Sequence, residues 1–260
     1  MTALLPLHDE SGHRPGPPAL VLVAHGSRDP RTLATVHGLL DRIRELRPGL
    51  RVHLGHIELN APLLPDTLAA LGDDTAILVP LLLSRGYHVK QDIPEMAAAA
   101  RARTRIAAPL GPHRLLVETL HRRLTEAGWR TPATESARRS AGVVLAAAAH
   151  ATPTPRSTPA VPPPCSPPAW ASRSSPPTPR PRPPTVPEAV RVLRSEGRHD
   201  IALASYFTAP GRFSTECAQA APGTAAAPLG AHPLMARLIL TRYDETRSTT
   251  QASHPLLASA

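Results

Sequence analysis

Two copies of one α/β unit lie along this chain, and no other feature restricts its fold as tightly. Ala107-Ala-Pro-Leu-Gly-Pro-His113 returns as Ala226-Ala-Pro-Leu-Gly-Ala-His232, each time leading into an amphipathic helical pattern. Leu64-Pro-Asp-Thr-Leu68 resembles Val186-Pro-Glu-Ala-Val190, and the apolar run at 76–83 with its loop returns at 201–213. Leu20-Val-Leu-Val-Ala24 has its counterpart in Gly142-Val-Val-Leu-Ala-Ala-Ala148. Within the first copy, short apolar runs alternate with helical stretches, the pattern of a parallel sheet covered by helices on both faces. Strands are expected over residues 19–24, 51–59, 75–83 and 104–108, and helices over 30–46, 62–72, 92–101 and 113–127. Asp29 is placed to cap the first helix, with Pro30 at its first position.

One stretch interrupts the second copy. Residues 150–184 are rich in Pro, Ser and Arg, contain no acidic residue and show no hydrophobic period. A helix and a second strand belong there by the repeat, yet proline at that density excludes both. The stretch reads either as a disordered linker or as a local reading-frame shift, restored where the repeat resumes in register at Thr185. The domain layout then follows. Residues 1–18 are expected to be a disordered tail and 19–130 the first domain. Residues 131–149 form a linker and the first strand of the second repeat, 150–184 an irregular segment, 185–246 the rest of the second domain, and 247–260 a disordered tail.

The net charge of +9 invites a nucleic-acid reading, but Lys90 is the sole lysine and no binding motif or aromatic platform accompanies the arginines. Neither nucleic acid nor membrane is expected as a partner, because no apolar run approaches the length of a membrane span. Cys165 and Cys217 show no paired spacing, so neither a disulfide framework nor a thiolate zinc site is indicated. The first 18 residues lack the apolar core of a signal peptide, which points to a cytoplasmic, monomeric protein built on a pseudo-two-fold.

The chemistry concentrates in the first copy. In a flavodoxin-like strand order, strand one lies between strands two and three, so the residues at their carboxyl ends share one crevice. Those residues are His25, Glu58 and His88. Two imidazoles and a carboxylate suit a borderline divalent ion such as Co²⁺, Fe²⁺, Ni²⁺ or Zn²⁺. Each residue has a plainer alternative: His25 as a helix cap, Glu58 as a solvated carboxylate, His88 as a loop residue bonded to backbone. His53, His56 and His113 read as surface or packing residues. Ser27 and Ser84 supply hydroxyls beside the histidines, and Gly26 and Gly86 let a ligand approach the backbone. Arg28, Arg85 and Lys90 set positive charge around the same mouth, either as solvated surface charge or to receive carboxylates. No Walker-type loop and no dinucleotide fingerprint supports ATP or NAD dependence.

The combination His25-Gly-Ser-Arg-Asp-Pro30, Glu58, and Val79-Pro-Leu-Leu-Leu-Ser-Arg-Gly-Tyr-His88-Val-Lys-Gln-Asp-Ile-Pro94 resembles the sirohydrochlorin chelatase family. The likeness covers residues 19–128 closely and 185–245 more loosely. It implies two tandem chelatase-like domains and ATP-independent insertion of Co²⁺ or Fe²⁺ into sirohydrochlorin, a carboxylate-rich tetrapyrrole. The metal would be a substrate, with no permanently bound cofactor. His25 and His88 would bind it, Glu58 would assist as ligand or proton acceptor, and Ser27, Arg28, Ser84, Arg85, Gly86 and Lys90 would line the substrate mouth. The second copy departs from the pattern, with Ala148 and Phe213 where the histidines would stand. The competing readings are a metal- or tetrapyrrole-binding protein without turnover, its second domain degraded, and an Arg/Pro-rich interaction module.

Overall fold

Six consecutive apolar residues, Ala19–Ala24, are all buried and form β1, the centre of a parallel sheet. A computed structural model describes residues 16–84, 86–148 and 184–251. The expectations for residues 1–15, Arg85, 149–183 and 252–260 lie outside the described residues.

Helix α1 (Pro30–Leu46) starts where Asp29 accepts a hydrogen bond from Arg31 N at 3.0 Å, with Pro30 opening the helix as expected. Then follow β2 (Val52–His56), α2 (Leu64–Ala70), β3 (Thr75–Pro80), α3 (Tyr87–Lys90), α4 (Asp92–Ala98), β4 (Arg103–Ile106) and α5 (Arg114–Glu126). The sheet order is β2-β1-β3-β4, with Leu20 in register with Val52 on one side and Ile77 on the other. Strand one therefore lies between strands two and three, as the flavodoxin-like order requires. One face packs on α2 and α4 through Leu64, Leu68 and Ile93.

Several expected elements end early, β2 and β3 among them. β2 stops at His56, whose N donates to Pro62 O at 2.9 Å as the chain turns back. β3 stops at Pro80, with Leu81 N adding a last bond to Val23 O at 2.8 Å. The expected loop at 84–89 contains a single helical turn, α3, which carries His88.

The second copy contributes α6 (Glu135–Ser140), β5 (Ala141–Ala147), α7 (Val186–Ser195), β6 (Asp200–Tyr206), α8 (Arg212–Gln219) and α9 (Pro233–Gln251). β5 and β6 pair in parallel as the two strands of the second sheet among the described residues. Val143 and Leu145 on β5 are 47% and 57% exposed.

The halves of the sequence are not the units of packing. The last helix of each copy crosses to the sheet of the other. Leu229, Met235, Leu238, Ile239 and Tyr243 join the core formed by Leu20, Leu22, Leu39 and Ile77. Conversely, Leu124 and Trp129 pack with Ala141, Ala202 and Ala204. Arg47 binds Asp244 through two bonds of 2.7 Å, and Tyr243 OH donates to Pro18 O at 2.6 Å. A boundary at residue 130 thus follows the duplication and cuts across the core. α9 also continues to Gln251, past the tail expected from residue 247, and Arg105 donates to Thr246 O from β4.

Both exchanged helices start at a histidine. His113 Nδ1 accepts from Leu115 N, and His232 Nδ1 from Leu234 N, each at 3.1 Å. A ring nitrogen can accept only while unprotonated. Burial first, and then Arg242 beside His113 and Arg123 beside His232, push both imidazoles below their ordinary value, while Glu245 and Glu126 oppose the shift. Their contribution to stability is full above the unfolded imidazole value of about 6.5. It is lost as pH falls through that value, because the unfolded chain binds protons that the folded caps resist. The melting temperature is expected to fall between about pH 7.5 and 5.5. Replacing both caps with Asn, which caps without titrating, should flatten that slope. An unchanged slope in H113N/H232N would contradict this origin.

Candidate metal centre

β1 ends at Ala24, and the next residue delivers an imidazole to the carboxyl edge of the sheet. The turn that follows needs glycine. Gly26 has φ +104°, and a Cβ there would lie 1.9 Å from Glu58 O. Its neighbours are laced to the loop after β2: Glu58 N donates to His25 O at 3.0 Å, and Ser27 N to Asn60 Oδ1 at 2.7 Å. Leu59 takes φ +66° in that loop, a left-handed conformation uncommon for a bulky residue. Gly26→Ala should therefore displace both loops, combining a contact that cannot be relaxed locally with about 1–3 kcal/mol of backbone strain. A lower melting temperature together with weaker Co²⁺ binding is the expected result; a variant identical to the parent in both would refute the packing argument.

His25 and His88, 63 residues apart in sequence, meet at this edge. Their Nε2 atoms are 3.0 Å apart, and the rings lie edge to face at 87° with centroids 4.5 Å apart. At that 3.0 Å separation, an ion bonded to both at ~2.0–2.1 Å would subtend roughly 95°, close to an octahedral right angle. The other nitrogen of each ring faces an oxygen. His88 Nδ1 lies 2.5 Å from Asp92 Oδ2. His25 Nδ1 lies 3.3 Å from Gly26 O and 3.5 Å from Glu58 Oε1.

Glu58 is thus beside the pair, on the ring nitrogen of His25 that faces away from His88. Among the described residues no three His, Cys, Asp or Glu side chains form a ready ligand set. The expected trio is a convergent pair with a carboxylate behind one member. The Ser27 hydroxyl accepts from Asp29 N at 3.0 Å and so serves the turn. Arg28, Ser84 and Lys90 are exposed around the opening, and Gly86 N donates to Ser84 O at 3.0 Å. Arg85 lies outside the described residues. His56 is buried with Nδ1 3.2 Å from Pro62 O, a packing residue as expected, and burial pushes its pKa down. His113 caps a helix.

Two residues escaped the sequence reading. Asp92 had a visible signal, its spacing of four from His88, but stood only as a helix start. Asn60 had none, because its contact with Ser27 joins two loops 33 residues apart in sequence.

Among the described residues, the second copy offers no matching pair. β5 ends at Ala147 with Ala148 beyond it, and Phe213 on α8 is exposed, with the Arg212 guanidinium 4.7 Å from its ring centroid. Its loop is tied to the first copy, where Thr32 Oγ1 donates to Pro210 O at 2.7 Å.

Comparison with known proteins finds relatives of this chain. The family model described as CbiX matches residues 19–127. A sirohydrochlorin cobaltochelatase of Sulfolobus acidocaldarius is 32% identical over 113 residues, which are 42% of this chain and 90% of that protein. One of Methanococcus aeolicus is 38% identical over 81 residues, 30% of this chain. The chain spans only 57% of that relative's length. Among solved structures, the sirohydrochlorin chelatase SirB from Bacillus subtilis subspecies spizizenii, in complex with cobalt, aligns over 91% of this chain and 97% of its own. The TM-score is 0.58 at 16% identity, a likeness of fold. SirB from Bacillus subtilis with Fe³⁺ aligns over 91% of this chain and 98% of its own, with a TM-score of 0.59 at 15% identity.

Proposed function

The chain belongs to the CbiX family, and from that premise we propose that it inserts a divalent metal, Co²⁺ or Fe²⁺, into sirohydrochlorin without ATP. The observation that carries this reading is the pair of Nε2 atoms 3.0 Å apart at the carboxyl edge of the first sheet. Two neutral imidazoles hold a borderline dication through a minority of its coordination positions. The remaining positions are open to the pyrrole nitrogens, so the ion can pass from protein to macrocycle by ligand exchange.

Charge balance requires the dication to replace two pyrrole N–H protons. Once the ion has passed to the macrocycle, the freed Nε2 lone pairs of the two imidazoles can accept those protons. Glu58, 3.5 Å from His25 Nδ1, is placed to orient that ring and to take a proton relayed through it. Exposed Arg28 and Lys90, with Arg85 five residues before Lys90 in sequence, would receive the carboxylates of the tetrapyrrole, and Ser27, Ser84 and Gly86 would shape the opening. No nucleotide is needed, because forming the metal–nitrogen bonds supplies the driving force.

The relatives' names carry both metals. The test follows sirohydrochlorin absorbance after adding Co²⁺, Fe²⁺ or an equal mixture to purified protein. The proposal expects insertion faster than in protein-free controls over many turnovers. Stoichiometric binding with no rate above the control would overturn it and favour a binding protein whose second half no longer supports catalysis.

A further inference from the structure

We propose that Asp92 is a positioning residue for metal capture, holding His88 in the tautomer and orientation that present Nε2 to the ion. An ionised carboxylate only accepts hydrogen bonds. With Asp92 Oδ2 2.5 Å from His88 Nδ1, that nitrogen carries the ring proton and Nε2 is left with its lone pair. The constraint spans two short helices. His88 belongs to α3 and Asp92 opens α4, with Gln91 between them at φ −124°, ψ −67°. α4 is in turn anchored under the sheet by buried Ile93 and Ala97. The carboxylate therefore sits on a fixed element, and the ring it holds is on a single turn beside the site opening.

His25 is held differently. Its Nδ1 has a backbone oxygen at 3.3 Å and a carboxylate at 3.5 Å, both longer than the contact behind His88. The two ligands are unequal in support: His88 is fixed by Asp92, whereas His25 takes its position from the strand end and the Gly26 turn. A carboxylate behind a ligating imidazole sets the tautomer and raises ligand basicity, and its loss costs about 10–100-fold in metal affinity. Asp92 should therefore matter more to ion binding than Glu58, although Glu58 belongs to the trio singled out by sequence.

The inference rests on His88 as a metal ligand, and the experiment separates the two. Co²⁺ is titrated into wild type, Asp92→Ala, Asp92→Asn and Glu58→Gln, with circular dichroism confirming the fold. Long-range ¹⁵N–¹H correlation reads the His88 tautomer in the metal-free proteins. Asp92→Ala is expected to weaken Co²⁺ binding about 10–100-fold and to convert His88 from a single Nδ1–H tautomer to a mixture. Asn keeps an acceptor oxygen, so Asp92→Asn should bind Co²⁺ at an intermediate strength; it also serves if the alanine variant does not fold. Glu58→Gln should shift affinity less than Asp92→Ala. Wild type that fails to bind Co²⁺ would sink the functional reading itself. Wild type that binds, with Asp92 variants equal to it in affinity and His88 tautomer, would overturn the role of Asp92 alone.

Discussion

A chain ending at His232 is expected to lose both its cooperative thermal transition and the metal insertion proposed for it, although the histidine pair lies more than 140 residues upstream of the cut. α9 supplies Leu234, Met235, Leu238, Ile239, Leu240 and Tyr243, all buried. Most of them face the sheet that carries His25. Burying a large apolar side chain contributes about 1.5–3 kcal/mol, so six of them contribute about 9–18 kcal/mol. A typical domain is stable by only about 5–15 kcal/mol. Deletion should therefore leave the first sheet exposed along its Leu20 and Leu22 face, seen as a broad melt and lost dispersion in a ¹⁵N correlation spectrum. The milder Tyr243→Ala should cost about 3–5 kcal/mol, and Tyr243→Phe, which loses only the bond to Pro18 O, about 1 kcal/mol. A truncated protein that still melts cooperatively and inserts metal would show that the exchanged helix is dispensable.

His25→Ala or His88→Ala should bring metal insertion down to the protein-free background while leaving the fold intact. Both side chains are only partly buried, so neither truncation opens a core cavity. Removing either imidazole leaves the ion with one protein nitrogen and removes a proton-transfer group, an effect of about 10²–10⁴-fold in rate. The two losses should not add, because each breaks the same pair. Absorbance-monitored metallation of the single and double variants reads this directly. Undiminished activity in both single variants would remove the site from the histidines.

The sheet that holds the site was legible in residues, because buried parallel strands read as continuous apolar runs and helices carry their caps in sequence. Ala19–Ala24 and Pro30–Leu46 appear with the bounds expected of them. The strand order that brings His25 to His88 is the one expected of a flavodoxin-like sheet. What the sequence did not reveal was the exchange of α5 and α9. Each helix shows an apolar face, but its pattern does not say which of two similar sheets it meets. Glu58 lies in the turn beyond β2, a strand that ends three residues before the expected boundary, with its carboxylate 3.5 Å from His25 Nδ1. Asp92 was overlooked because a helix-opening acid has an ordinary role, and only the turn at Gln91 folds it back onto His88.

The central claim is that one ion binds between His25 and His88. X-ray absorption of the Co²⁺-loaded protein, at one equivalent per chain, tests it most directly. Two imidazole nitrogens at about 2.0–2.1 Å are expected, with the second imidazole signature lost in His88→Ala. An all-oxygen shell, or a spectrum unchanged by that substitution, would contradict it.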